Sequence, residues 1–174
     1  MRSKSGLLLV GAVGVLLVAG TALLVAGDTE KPAAALSLEQ ARREVRLLDD
    51  LYKTAVIYIN DVYVEDENSV AAGETARELF AAMKAKGWHE ARLVDATGEP
   101  LNDENIPKNE FEKTAIVKIK SGQPYFDAVV EENDRKFLRA ATLLPVVNEK
   151  CILCHPGNKV GDVLGAISYK IRLK

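Results

Sequence analysis

An uncharged run of 22 residues, Gly6 to Gly27, predicts that the start of the chain is not part of a globular domain. An apolar helix of about 20 residues crosses the hydrocarbon core of a bilayer, and the run is longer than the roughly 7–15 apolar residues of an ordinary signal peptide. Arg2 and Lys4 precede it, which predicts that the short leading tail stays in the cytoplasm and the rest is exported. We therefore expect residues 1–27 to be a single-pass anchor in the cytoplasmic (inner) membrane, with a cleaved signal segment as the alternative. Either way, the following residues face the periplasm or the cell exterior.

The rest of the chain is long enough for one domain. Residues 28–36 contain Pro32 and three alanines and predict a linker, which leaves residues 37–174 as the domain. The chain carries 23 basic and 25 acidic residues, a net charge of -2, so nucleic acid is not an expected partner. Two cysteines among 174 residues are too few for a disulfide-stapled fold and indicate a site instead.

A long amphipathic helix opens this domain. Ser37 and Gln40 have the spacing of a capping box. Apolar residues then recur at alternating steps of three and four: Leu38, Ala41, Val45, Leu48, Tyr52, Ala55, Ile59 and Val62. This seam predicts a helix packed on the domain's own sheet, and a homodimer contact through the Ser37–Glu65 helix is the alternative.

The residues that follow predict a second helix and then an antiparallel sheet with an inserted helix. A second helix fits Ser69 to Lys86, with Met83 on its apolar face, and a third fits Pro107 to Lys120. Period-two alternation indicates strands at 88–95, 124–130, 136–147 and 163–173. On the first of these strands His89 shares a face with Ala91 and Leu93. The pattern predicts an α+β fold with an antiparallel sheet.

The motif with chemical content is Cys151-Ile152-Leu153-Cys154-His155, which matches the C-x-x-C-H haem-attachment pattern. Two intervening residues let both sulfurs reach the two vinyl groups of one porphyrin from a single turn of backbone. The adjacent histidine then ligates the iron as the proximal ligand. We therefore expect one haem c, covalently bonded to Cys151 and Cys154 and ligated by His155.

Three other interpretations of these residues stay open. A redox dithiol would sit at the head of a βαβ unit, which the strand pattern does not provide. A zinc site would combine Cys151, Cys154 and His155 with a fourth ligand such as His89. A disulfide between cysteines three apart would close a very small loop and contribute little stability.

From Lys136 onward the chain resembles a family of PAS-like haem-c domains, which occur as stand-alone exported proteins and as periplasmic sensing ends of histidine kinases and chemoreceptors. The resemblance rests on the C-x-x-C-H motif, on 137–139 (FLR) with Leu144-Pro145 before it, and on 161–168 (GDVLGAIS) after it. A weaker resemblance to the family lies at Asn102 to Pro107. The resemblance implies a PAS-like antiparallel sheet flanked by helices and holding one haem c.

Some members of that family use a further cysteine as the second axial ligand, which cannot apply to a chain with two cysteines. The candidates for the distal ligand are His89, the other histidine, and Met83, the methionine beyond the initiator. An open or water-filled sixth position is the third possibility.

Two functional hypotheses follow from a single haem. One is a sensor of redox state or of a diatomic gas, and the other is a membrane-tethered one-electron carrier; the redox or signalling protein partner is unknown in both. No Ser-His-Asp set, phosphate-binding loop or second metal constellation is visible, so we do not expect an enzyme.

Overall fold

The computed structural model describes residues 34–66 and 69–174. The predicted anchor, residues 1–27, lies outside the described residues, as does most of the predicted linker. Within the described ranges no helix is both long and apolar enough to cross a bilayer.

The first helix, α1 (Leu38–Tyr63), has the predicted beginning. Ser37 Oγ accepts a hydrogen bond from the Gln40 N–H at 3.3 Å, and the Ser37 N–H donates to Gln40 Oε1 at 3.0 Å, which completes the capping box. Ala41, Val45 and Tyr52 of the predicted seam are buried in the domain's own core. This part of the seam therefore packs on the sheet, whereas Val62 near its end is exposed, and the homodimer contact stays a prediction.

Four antiparallel strands form one sheet in the order β1-β4-β3-β2. Their bounds are β1 (Glu90–Asp95), β2 (Tyr125–Glu132), β3 (Arg135–Pro145) and β4 (Val163–Arg172). Strands β2 and β3 form a hairpin through Asn133 and Asp134, whose φ angles of 51° and 58° suit a two-residue turn. Because β3 and β4 are antiparallel neighbours, the segment between them begins and ends at the same end of these two strands.

Two further helices begin later than the sequence predicts. Helix α2 (Ala72–Ala85) starts three residues after Ser69, because Ser69 Oγ accepts hydrogen bonds from the Glu65 and Asp66 N–H groups and so closes the preceding turn. Helix α3 (Glu110–Lys120) starts after Asn109, whose side chain accepts a hydrogen bond from the Glu112 N–H at 3.0 Å. Asparagine is a strong N-cap, which moves the start beyond Pro107.

Helices cover both faces of the sheet. Ala41, Val45 and Tyr52 of α1 and Ala76 and Phe80 of α2 pack against one face, which carries Leu138, Ala140, Ile167, Tyr169 and Ile171. Ala115 and Ile119 of α3 pack against Ala141 and Ala166 on the other face. The predicted α+β class, an antiparallel sheet flanked by helices, is confirmed.

Candidate functional site

The motif lies on a short helix between β3 and β4. This helix, α4 (Glu149–Cys154), places Cys151 and Cys154 three residues apart and therefore on one side. His155 ends it, and the His155 N–H donates to the Cys151 carbonyl at 3.1 Å. Both thiols are free and, like His155, half-buried. A single turn of helix thus presents all three side chains together, as the spacing predicts.

Asn148 begins this helix and fastens it to α1. Its Oδ1 accepts hydrogen bonds from the Cys151 N–H at 3.2 Å and from Asn60 Nδ2 at 3.1 Å, and its Nδ2 donates to Asp61 Oδ1 at 2.6 Å. Asn60 is buried, and its Nδ2 also lies 3.9 Å from Cys151 Sγ. Sequence reasoning missed both asparagines. The available signal was an asparagine three residues before Cys151, which is the spacing of an N-cap and its N3 residue.

The three motif side chains line a cavity of about 300 Å³. This is the lower end of the volume range of small-molecule sites. Helices α1 and α2, the end of β1 and the adjoining ends of β3 and β4 supply its walls. The apolar part of the wall includes Val56, Ile57, Ala72, Ala76, Leu93, Leu144, Leu164 and Ile167. The cavity is also lined by Asn102 and Asn105, which belong to the segment that weakly resembles the haem-c family.

Charged groups enter the cavity wall at defined places. Asp95, at the end of β1, has its carboxylate held by Thr97 Oγ1 and the Gly98 N–H, each at 2.7 Å. Lys53 of α1 also lines the cavity, and its Nζ lies 2.7 Å from Asp49 Oδ2. A fixed anion and a cation are therefore present in a site whose walls are otherwise mostly apolar.

The cavity keeps His155 in the form that binds metals. Burial lowers the pKa of His155, and the negative charge of Asp95 opposes part of that shift. Imidazole binds iron as the neutral ring. Two thiols and a neutral imidazole on one helical turn, facing an apolar cavity, are a donor set that fits a covalently attached haem.

The structure does not bring His89 or Met83 to this cavity. His89 is buried, and its Nε2 lies 2.7 Å from Tyr52 Oη. Burial lowers its pKa. Met83 is half-buried on α2 and is not among the residues that line the cavity. Within the described ranges no group of three or more His, Cys, Asp or Glu side chains is arranged to hold a metal ion.

A family model and a solved structure resemble this chain. The crystal structure of the cyanobacterial haem protein Tll0287 superposes with a TM-score of 0.55 over 78% of this chain and 96% of that one, at 14% sequence identity. No curated protein sequence matches the chain. A family model described as Tll0287-like matches residues 33–172, and the resemblance stated from the sequence is thereby confirmed. The chain belongs to the Tll0287-like family.

Proposed function

We propose that this chain is a monohaem c-type domain with a redox role. Cys151 and Cys154 hold the haem through thioether bonds, and His155 is the proximal ligand of the iron. The observation that carries the proposal is the cavity, because one mostly apolar space is lined by all three side chains of the motif. Membership of a family that includes a haem protein supports it independently.

The chain's own residues have separable tasks in this proposal. Asn148 and Asn60 hold α4 against α1, so that both sulfurs face the cavity. The apolar walls exclude water. The negative charge of Asp95 acts on His155 and opposes part of the lowering of its pKa. A bound haem supplies one-electron chemistry, and the protein adjusts it through axial ligation, burial and nearby charge.

Of the two redox roles, sensing is favoured by the positions of the two predicted candidates for the distal ligand. An electron carrier gains from a second strong ligand such as histidine or methionine, since six-coordinate iron changes oxidation state with little rearrangement. His89 and Met83 lie away from the cavity. The cavity thus suits an iron whose sixth position can be given up to a small ligand, as a sensor of gas or redox state requires.

The anchor belongs to the proposal as well. The uncharged run from Gly6 to Gly27 and the basic residues before it support a domain tethered to the inner membrane and exposed to the periplasm or cell exterior. Covalent haem attachment takes place in that compartment. Retention of the full-length chain in alkaline-washed membranes is the result expected of an anchor, and its release would indicate a cleaved signal segment.

Covalent attachment is tested on full-length protein matured with a c-type haem system. The protein is washed with acidified organic solvent and then assayed as a pyridine haemochrome. We expect the haem to be retained, one thioether to be lost in Cys151→Ala or Cys154→Ala, and all covalent haem to be lost in the double variant. His155→Ala should keep the haem but alter the spectrum of the ferric and ferrous protein.

His89→Gln is the matched control, because it changes the other histidine and should leave haem content and spectrum as in the wild type. Complete extraction of haem from the wild-type protein would contradict the proposal. Zinc binding at Cys151, Cys154 and His155 would then be assayed next.

A further inference from the structure

Few side chains in the cavity can complete the coordination of an iron. Apart from the motif, no imidazole, thioether or thiol is found among the described residues that line it. The remaining donors are a primary amine, carboxylates and amides. The amine, on Lys53 of α1, is the strongest-field donor in this set.

Four of these five carboxylates and amides are already engaged, and the fifth, the Asn105 amide, offers iron only a weak-field oxygen. Asp95 accepts two hydrogen bonds within its own turn, and Asn60 is bonded to Asn148. Asn102 accepts from the Glu104 N–H at 2.8 Å, and Glu74 forms an ion pair with Arg77 at 2.8 Å. Breaking any of these contacts would leave a turn, a cap or a helix contact unsatisfied.

Lys53 is held differently. Its ammonium pairs with Asp49, but Asp49 Oδ1 also accepts hydrogen bonds from Thr142 Oγ1 at 2.5 Å and from Tyr169 Oη at 3.1 Å. Asp49 therefore keeps two partners when Lys53 leaves, so the departure does not orphan a carboxylate that is only 15% exposed. Lys53 also borders a second, more open cleft beside Thr142 and Tyr125, which connects it with water.

We infer that Lys53 is the distal ligand of the haem iron, an inference that rests on the proposed function. To bind iron, the Lys53 amine would lose one proton to water and leave Asp49. An entering small ligand would displace the amine, which would return to Asp49 and recover its proton. Lys53 thus makes the sixth coordination position of the iron occupied but exchangeable.

The test uses the matured, haem-containing protein and sodium azide as the probe ligand. Wild type, Lys53→Ala and the control Lys118→Ala, an exposed lysine on α3, are compared by absorption and electron paramagnetic resonance of the ferric state. We expect low-spin iron in the wild type and control, and high-spin iron in Lys53→Ala. Azide affinity should rise at least about tenfold in Lys53→Ala, because an occupied site lowers apparent affinity by the fraction that is free.

Asp49→Asn is the second variant. It weakens the ion pair yet keeps an oxygen for Thr142 and Tyr169, so Lys53 should occupy the iron more fully and azide affinity should fall. Identical spectra for Lys53→Ala and wild type, a lower azide affinity in Lys53→Ala, or an unchanged affinity in Asp49→Asn would each overturn the inference. Each of these results leaves the haemochrome assay positive, whereas failure of the proposed function makes that assay negative.

Discussion

At the scale of single residues, Tyr52 and His89 form a buried polar pair within the core. The Tyr52 ring makes an edge-on contact with Phe80, at 4.9 Å between ring centroids, and stacks on Tyr169 at 6.4 Å. The sequence predicts His89 on a strand, whereas β1 begins one residue later, at Glu90. An inward-facing histidine there suits either a metal ligand or a hydrogen-bonded core residue, and the sequence cannot separate the two. What decides is a tyrosine 37 positions away, which only the packing of α1 on the sheet reveals.

This pair makes stability depend on pH. Burial lowers the pKa of His89 below its ordinary 6.5, so the unfolded chain binds a proton before the folded one does. The contribution is fully present above about pH 6.5 and is lost as pH falls toward the folded-state pKa, by at most about 1.4 kcal/mol per pH unit. We expect the free energy of unfolding to fall less steeply from about pH 7.5 to about pH 5 in His89→Gln than in the wild type.

Urea denaturation at a series of pH values measures the difference. Glutamine keeps a polar group near the position of Nε2 for Tyr52, so the variant removes the titration more than the contact. Comparison of the two proteins cancels the contribution of His155, which both retain. Parallel pH profiles would show that His89 is not the titrating group.

At the scale of elements, the sequence predicts which helices and strands exist better than it predicts where their residues lie. The long periodicities of α1 and β4 and the capping box at Ser37 depend on local spacing, and all are present in the structure. The predicted seam of α1 keeps a 3.5-residue period, whereas a straight helix drifts about 20° per heptad from such a seam. By the last turns the cavity is lined by Lys53, Val56, Ile57 and Asn60 instead, and Val62 is exposed. Those cavity residues could therefore not be chosen from the seam.

The pairing of β1 with β4 depends on a glycine. A Cβ added at Gly165 would lie 2.1 Å from the Val94 carbonyl oxygen, closer than any side chain can approach. Gly165→Ala should push β1 away from β4 at the cavity wall and lower the free energy of unfolding by about 2–4 kcal/mol, as overpacking and broken ladder hydrogen bonds do. Thermal unfolding of the haem-containing protein measures this loss, and the haem spectrum should change with it.

Gly73→Ala is the matched control, since it makes the same substitution in another cavity-lining residue. An added Cβ there meets Leu93 Cδ1 at 3.4 Å, an ordinary contact with a flexible side chain, and alanine favours the helix. We expect it to be neutral or slightly stabilising. Equal losses in the two variants would show that the close approach at Gly165 does not limit the sheet.

At the scale of the whole molecule, the two ends of the described domain meet. The Leu36 N–H donates to the Arg172 carbonyl at 3.1 Å, and the Lys174 N–H donates to the Leu36 carbonyl at 2.9 Å. Leu36 forms a parallel bridge with Leu173 and packs against the core. The sequence assigns Leu36 to a linker because proline and alanines precede it. A single paired residue has no periodicity, so composition alone cannot show that Leu36 pairs with the last residues of the chain.

The domain border can be tested by truncation behind an export signal. A chain that starts at Ala34 keeps the Leu36 contacts, whereas a chain that starts at Ser37 loses two backbone hydrogen bonds and a partly buried leucine. These losses should lower the free energy of unfolding of the shorter chain by about 2–4 kcal/mol. Leu36→Ala in the longer chain keeps both hydrogen bonds and should lose only about 1 kcal/mol, the part due to the side chain. Denaturant titration of the three matured proteins separates the two contributions. Equal stability of the two truncated chains would place the start of the folding unit at Ser37, whereas the expected order makes Leu36 part of the domain.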